Sequence, residues 1–348
     1  MNSTISTATV SDTIATPTGT ISGSFSGGIL YKDNLNNYFV YLITIAGSSG
    51  TPVAGFRYDI STNTFQSDET FGTNRYNKPY AGGALMQDGK IYLVPEGGGS
   101  ALIYNPLINS SLGNLETPNG SFPTGSGLFA GAVLLPNGNV FCYSATAGLA
   151  ARIYNPFTNT LTTAGGTYDI GFNDATLMAD GRVFLTPYSL SNSARIYDPN
   201  TNTLTTPNVS LPSAISWRST ILSDGRIVLV SNGSPNAYIR IYYPDLDILV
   251  TPSVTPATGV NGCSLLPNGK ILLIPQSKTT AQIYDPNIDT FTTSSAIFPS
   301  TSYASAVLMP NGKTLLIATN SSPNNSRIYG GGESFNNNVL LSSYYNNK

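Results

Sequence analysis

The chain has 348 residues, 16 of them basic and 18 acidic, for a net charge of −2, and it contains no histidine. Only 10% of residues are charged, against about 25% in an ordinary soluble domain, and Ser, Thr, Asn and Gly take their place. No run of like charge exists, which argues against nucleic acid or an anionic membrane as partner. Two cysteines, Cys142 and Cys263, sit outside any C-x-x-C spacing and read as buried free thiols rather than a disulfide framework.

Residues 1–22 are Ser/Thr-rich with interspersed Ile and Val, and read as an N-terminal arm or a closing strand. No basic and apolar leader precedes them, and nowhere does an apolar run approach the length of a membrane span, so a soluble chain without membrane insertion is expected. From residue 23 a repeat begins and continues to residue 348 with no linker or second domain. Its clearest copy is LMADGRVFL followed by ARIYDPNTNTLTTP, ending at Pro207. Apolar residues on both sides of Asp180-Gly181 predict a hairpin with a type I′ turn. Arg195-Ile196-Tyr197 alternates as a third strand, Asp198-Pro199 starts a turn, and Thr203-Leu204-Thr205 reads as a fourth.

Six copies carry Asp-Gly or Asn-Gly at the first turn, at Asp88, Asn137, Asp180, Asp224, Asn268 and Asn311, and the first copy has a longer hairpin. The third-strand tyrosines stand at 58, 104, 154, 197, 242, 284 and 329, separated by 46, 50, 43, 45, 42 and 45 residues. Four short strands at a period near 45 identify propeller blades, and helical periodicity persists nowhere. The expected fold is all-β, a seven-bladed β-propeller of four-stranded antiparallel blades. An open ring leaves two unpaired sheet edges. Closure is expected either from Asn337–Leu341 within the last repeat or from Thr4–Thr7 at the N-terminus, with the second favoured because the last repeat is weak.

The units LLPNGKILLI (265–274) and AQIYDPNIDTFTT (281–293) resemble kelch repeats, in particular those of galactose-oxidase-type propellers. The resemblance recurs seven times over residues 23–341. It departs where proline (Pro95, Pro187, Pro275) replaces the glycine pair after the second strand, and where Phe65, Leu161, Leu204, Leu249 and Phe291 replace the fourth-strand tryptophan. It implies a divergent kelch-like branch, and in that family most members bind proteins while a minority are enzymes.

Absence of histidine removes the copper-oxidase chemistry of that family, Ser-His-Asp and Cys-His nucleophiles and histidine zinc sites. No calcium loop or sialidase box is present, so the chain is expected to be non-enzymatic, with no catalytic residues, no metal and no cofactor. The Asp-Gly carboxylates read as turn chemistry, since Asn replaces Asp freely. Arg152, Arg195, Arg240 and Arg327, each two residues before a repeat tyrosine, read as strand-surface packing.

Turns between first and second strands, and between third and fourth, share one end of the ring and are stereotyped. The connections at the other end, such as EGGGS (96–100), SLSNS (189–193) and NGSPN (232–236), differ in every blade. Variable loops on a rigid scaffold suit a binding surface. Residues leading into first strands lie near the channel, so Tyr80, Phe129, Asn173, Asp174, Trp217, Arg218 and Tyr303 are the binding candidates, with sealing of neighbouring blades as the alternative role for the aromatics. The uncharged polar surface and missing leader suggest a virion or phage surface protein made in a cytoplasm, binding a host receptor, a glycan or a neighbouring particle protein. An intracellular, cytoplasmic kelch-like adaptor and a histidine-independent carbohydrate-active enzyme are the alternatives.

Overall fold

The computed structural model describes residues 11–19, 21, 23–45, 55–68, 79–108, 115–125, 127–188, 193–213, 216–231, 237–256, 260–319 and 325–331. They form 28 strands in seven four-stranded antiparallel sheets. The innermost strand of each sheet touches those of its two neighbours, and the first, Ser24–Lys32, touches the last, Tyr303–Leu308. The protein is therefore a closed seven-bladed β-propeller. Among the described residues no helix is long and apolar enough to cross a membrane.

There is no single core. The buried apolar residues fall into seven clusters, each drawn from two adjacent blades, and one of them joins Val40 and Phe56 of the first blade to Leu315 and Ile317 of the last. Second strands, buried on both faces, read as continuous apolar runs such as Ile227–Ser231. The repeat tyrosines lie in these seams. Tyr154 stacks on Tyr92 of the preceding blade at 4.5 Å between ring centroids, Tyr197 on Phe141 at 4.4 Å, and Tyr104 on Tyr41 at 4.9 Å.

The first turn of each repeat is not the two-residue type I′ turn that Asp-Gly suggests. Met86 N–H donates to Lys90 O at 2.8 Å and Gly89 N–H to Met86 O at 3.0 Å, so the loop has three residues, and only its glycine is left-handed (φ +81° at Gly89). The Asx side chain accepts the N–H two residues on, as in Lys90 to Asp88 at 3.1 Å and Lys313 to Asn311 at 3.1 Å. Asp and Asn offer the same acceptor, hence their exchange between blades.

Closure comes from the N-terminal segment. Ser11–Ala15 pairs antiparallel with Arg327–Gly331 and supplies the fourth strand of the last blade. Thr4–Thr7 and Asn337–Leu341 lie outside the described residues. Asp12 makes the closure specific. Its carboxylate accepts from Tyr329 Oη at 2.9 Å, from Ser294 Oγ at 2.5 Å, from Ser295 Oγ at 2.7 Å and from the Ser295 N–H. Partial burial works against its charge, but the hydrogen bonds from Ser294, Ser295 and Tyr329 outweigh it and hold the carboxyl below its ordinary pKa.

Removal of this acceptor orphans several donors, so Asp12→Ala is expected to cost about 1–3 kcal/mol in urea denaturation. Asp12→Asn should cost less, because asparagine fills the same role in other blades. A depressed folded-state pKa means that the Asp12 contribution is complete above about pH 4 and disappears as pH falls through the folded value. The acid limb of the stability curve should therefore be shallower in Asp12→Asn than in the native chain; superimposable limbs would refute the clasp.

Candidate functional site

A channel of about 1020 Å³ runs along the ring axis, lined by all seven innermost strands. At its loop end these strands share a local irregularity. In six blades the pairing register shifts after the leading residue, between Phe25 and Gly27, Tyr80 and Gly82, Phe129 and Gly131, Phe172 and Asp174, Val260 and Gly262, and Tyr303 and Ser305. Only the strand beginning at Trp217 lacks the bulge, and Arg218 follows directly.

The leading side chains turn into the seams whether or not the bulge is present. Tyr80, Phe129, Trp217 and Tyr303 are each no more than 3% exposed and lie inside the interblade seams. They do not ring an open mouth: burying that much apolar surface between sheets is worth more than exposing it at the channel. Phe129 packs edge-on against Phe122 with centroids 4.8 Å apart. Trp217 Nε1 is buried with no hydrogen-bond partner among the described residues.

The bulged residue, where polar, reaches the next blade. Asn173 Nδ2 donates to Trp217 O at 2.8 Å, Ser26 Oγ to Tyr80 O at 2.9 Å, and Asn261 Nδ2 to Tyr303 O. Ser26 and Asn261 were not singled out from sequence; the signal was available, since both stand one residue after the leading position, as Asn173 does.

Directly below lies the level that sets the channel's character. Its seven residues, matched by their pairing to the second strand, are Gly27, Gly82, Gly131, Asp174, Arg218, Gly262 and Ser305. At Gly82 glycine is required by close approach, since a Cβ there would lie 2.8 Å from the Gly131 Cα of the next blade. Three blades depart from glycine; one carries Ser305, and the other two, which are neighbours, carry the opposite charges of Asp174 and Arg218. Asn173, Asp174 and Arg218 are thus brought together as a single polar sector.

Within that sector the acid is well held. Asp174 Oδ2 accepts from Ser219 N–H at 2.8 Å and Ser219 Oγ at 3.2 Å, and Ser219 Oγ is also 2.7 Å from Thr176 Oγ1. Burial nevertheless raises the Asp174 pKa, and the nearby Arg218 charge and these hydrogen bonds offset it only in part. Arg218 donates Nη1 to Asn173 O at 3.4 Å, a long bond, and is not in ion-pair contact with Asp174. Tyr143 and Cys263 border the sector, and burial pushes both their pKa values up. Cys142 is buried, whereas Cys263 is half-buried on the channel wall. Deeper in, the channel is lined by small residues such as Ala132, Ala175 and Ala306 and then by an aliphatic floor that includes Leu85, Leu134, Leu177 and Met309.

The repeat arginines serve their own blades. Arg195 Nη2 lies 2.8 Å from both carboxylate oxygens of Asp169, Arg152 donates to Thr163 Oγ1 at 2.9 Å, and Arg240 and Arg327 donate to the carbonyls of Ile239 and Ser326 at 2.7 and 2.9 Å. Of the variable connections, 96–100 is described; most of 189–193 and all of 232–236 lie outside the described residues, as do Phe71 and Tyr76.

These features define a β-propeller with one charged sector on its axis, and solved structures agree on the fold. The chain resembles virginiamycin B lyase from Staphylococcus aureus, at 9% identity over 91% of this chain and 97% of that one, with a TM-score of 0.67. It resembles a fungal alcohol oxidase of the AA5 family solved in complex with copper, at 13% identity over 90% and 75% of the two chains, with a TM-score of 0.65. It also resembles an extracellular domain assigned to a one-component system of B. thetaiotaomicron, at 12% identity with a TM-score of 0.64; 90% of this chain matches and spans 40% of that one. No family model and no curated protein matches the chain.

Burial of Trp217 predicts a stability phenotype. Trp217→Ala is expected to cost about 3–5 kcal/mol through the cavity it leaves. Trp217→Phe should cost less than half of that, because the indole N–H it removes has no partner. Equal melting temperatures for native and Trp217→Ala chains would show that the ring is not a structural wedge.

Proposed function

We propose that the chain is a non-enzymatic, kelch-like binding propeller displayed on a virion, phage or similar particle, and that its loop end recognises a host receptor, a glycan or a neighbouring particle protein. The observation that carries this reading is the inequality of the two ends. One end is built from near-identical Asx-Gly and Asx-Pro turns. The other carries connections that differ from blade to blade on the same rigid frame, the arrangement that favours recognition over scaffold duty. Scarcity of charge and abundance of Ser, Thr and Asn fit a surface that stays soluble while avoiding ionic association.

The activities of the structural neighbours do not transfer. One structure of the lyase is of a form made catalytically inactive by replacing a histidine with alanine. This chain has no histidine at any of its 348 positions. Sharing a propeller therefore carries no reaction with it.

Tyr188, 48% exposed at the end of a second strand beside the 189–193 connection, is an aromatic well placed for contact. On a glycan array and in a host-surface binding assay, Tyr188→Ala is expected to weaken the native signal at least ~10-fold, the effect of losing about 1.4 kcal/mol at one contact, without altering the melting temperature. Recovery of the protein free in the cytosol of uninfected cells, with no particle association, would overturn the particle reading in favour of an adaptor. Turnover of a glycan would overturn the non-enzymatic one.

A further inference from the structure

We propose that the axial channel is itself a ligand site, for a small amphipathic carboxylate whose head lies against Arg218 and whose apolar body extends along the aliphatic floor. This goes beyond recognition by the loop end and does not depend on it.

Four observations lead there. First, the channel has the volume of a small-molecule pocket, about 1020 Å³, where such sites typically measure about 300–1,000 Å³. Second, its polarity is concentrated in one place. Five of the seven residues at the charged level are glycine or serine, so Asp174 and Arg218 stand alone as charges facing the axis there.

Third, the two charges are unequally satisfied. Asp174 has two donors from Ser219, whereas Arg218 has one long bond to a carbonyl. A guanidinium presents five N–H donors in a planar fork, so most of those on Arg218 remain for something in the channel. Asp174 lies near Arg218 but makes no direct ion pair with it, and guanidinium donors left without a hydrogen-bonded partner away from bulk water are costly, so a bound anion relieves that cost. Carboxylate fits best because its two oxygens match the fork. Tyr143 and Cys263, the other titratable groups facing the sector, are held protonated by burial and add no negative charge.

Fourth, the far end of the channel has no charged residue among its lining, and Gln87 is the polar side chain there. Leu85, Leu134, Leu177, Leu308 and Met309 line it, so a ligand anchored at Arg218 gains by carrying a hydrocarbon or aromatic body.

Isothermal titration of the full chain with decanoate, decanol and acetate tests this. The native chain is expected to bind decanoate at least ~10-fold more tightly than either decanol or acetate, a difference of one charge-assisted contact or of the apolar body. Arg218→Gln should reduce decanoate affinity at least ~10-fold and leave decanol unchanged; Arg218→Lys, which keeps the charge but not the fork, should fall between. Asp174→Asn, which removes the competing acid, should tighten decanoate binding. Ala306→Phe, which fills the channel, should abolish binding of both decanoate and decanol. Failure of decanoate to bind the native chain, equal affinity in Arg218→Gln, or equal affinity for acetate and decanoate would each overturn the proposal. Receptor or glycan signal should be untouched by Ala306→Phe, which lies deeper in the channel than the loop end, so failure of this inference and failure of the loop-end reading are separable.

Discussion

The structure depends on a clasp repeated between blades. A third-strand tyrosine, fully buried, donates its hydroxyl to an Asx side chain five residues on: Tyr154 to Asn159 at 3.1 Å, Tyr197 to Asn202 at 2.8 Å, Tyr242 to Asp247 at 2.9 Å, Tyr284 to Asp289 at 2.8 Å. That Asx is left-handed, and it accepts a second bond from a backbone N–H of the preceding blade, Asn119 to Asn159 at 2.9 Å, Gly165 to Asn202 at 2.8 Å, Asn208 to Asp247 at 2.9 Å, Ser253 to Asp289 at 2.7 Å. One side chain thus ties a buried ring to a neighbouring sheet. The last blade lacks an Asx at that place, and Asp12, from the other end of the chain, performs both functions at once. Closure is therefore chemically the same junction as the others, made between residues 317 apart.

Seams rather than a central core follow from this arrangement. Each sheet buries both faces against its neighbours, so the axis is left to the innermost strands alone. Where they converge at the loop end glycine prevails, and between Gly82 and Gly131 the backbones approach too closely for a side chain. Any residue with a large polar side chain at that level is exceptional and projects into confined space. The acid and base at Asp174 and Arg218 gain their significance from the emptiness of the other five positions.

Legibility from sequence was uneven for identifiable reasons. Blade number, strand order and the hairpin positions follow from repetition, because a pattern seen seven times averages out local accident. The turn type was misjudged at Asp-Gly because the dipeptide is compatible with two hairpin geometries, and the choice rests on whether residues such as Gln87 join the loop. Thr4–Thr7 resembles a fourth strand, yet Ser11–Ala15 occupies that edge, where Asp12 meets the clasp donors. Of the seven site candidates, Asn173, Asp174 and Arg218 face one another as a group, whereas Tyr80, Phe129, Trp217 and Tyr303 face the seams; the two fates fall to positions one or two residues apart on the same strand.

By itself the sequence determined that this is a histidine-free, weakly charged ring of seven four-stranded blades, because composition and periodicity are properties of the chain alone. Only the tertiary structure decided which end of the chain closes the ring, which aromatics are wedges, and that Asp174 and Arg218 share a nearly bare axis. Those outcomes depend on register across blades, and register is set by packing between segments more than 40 residues apart, as in the Ser219 N–H bond to Asp174, a separation of 45.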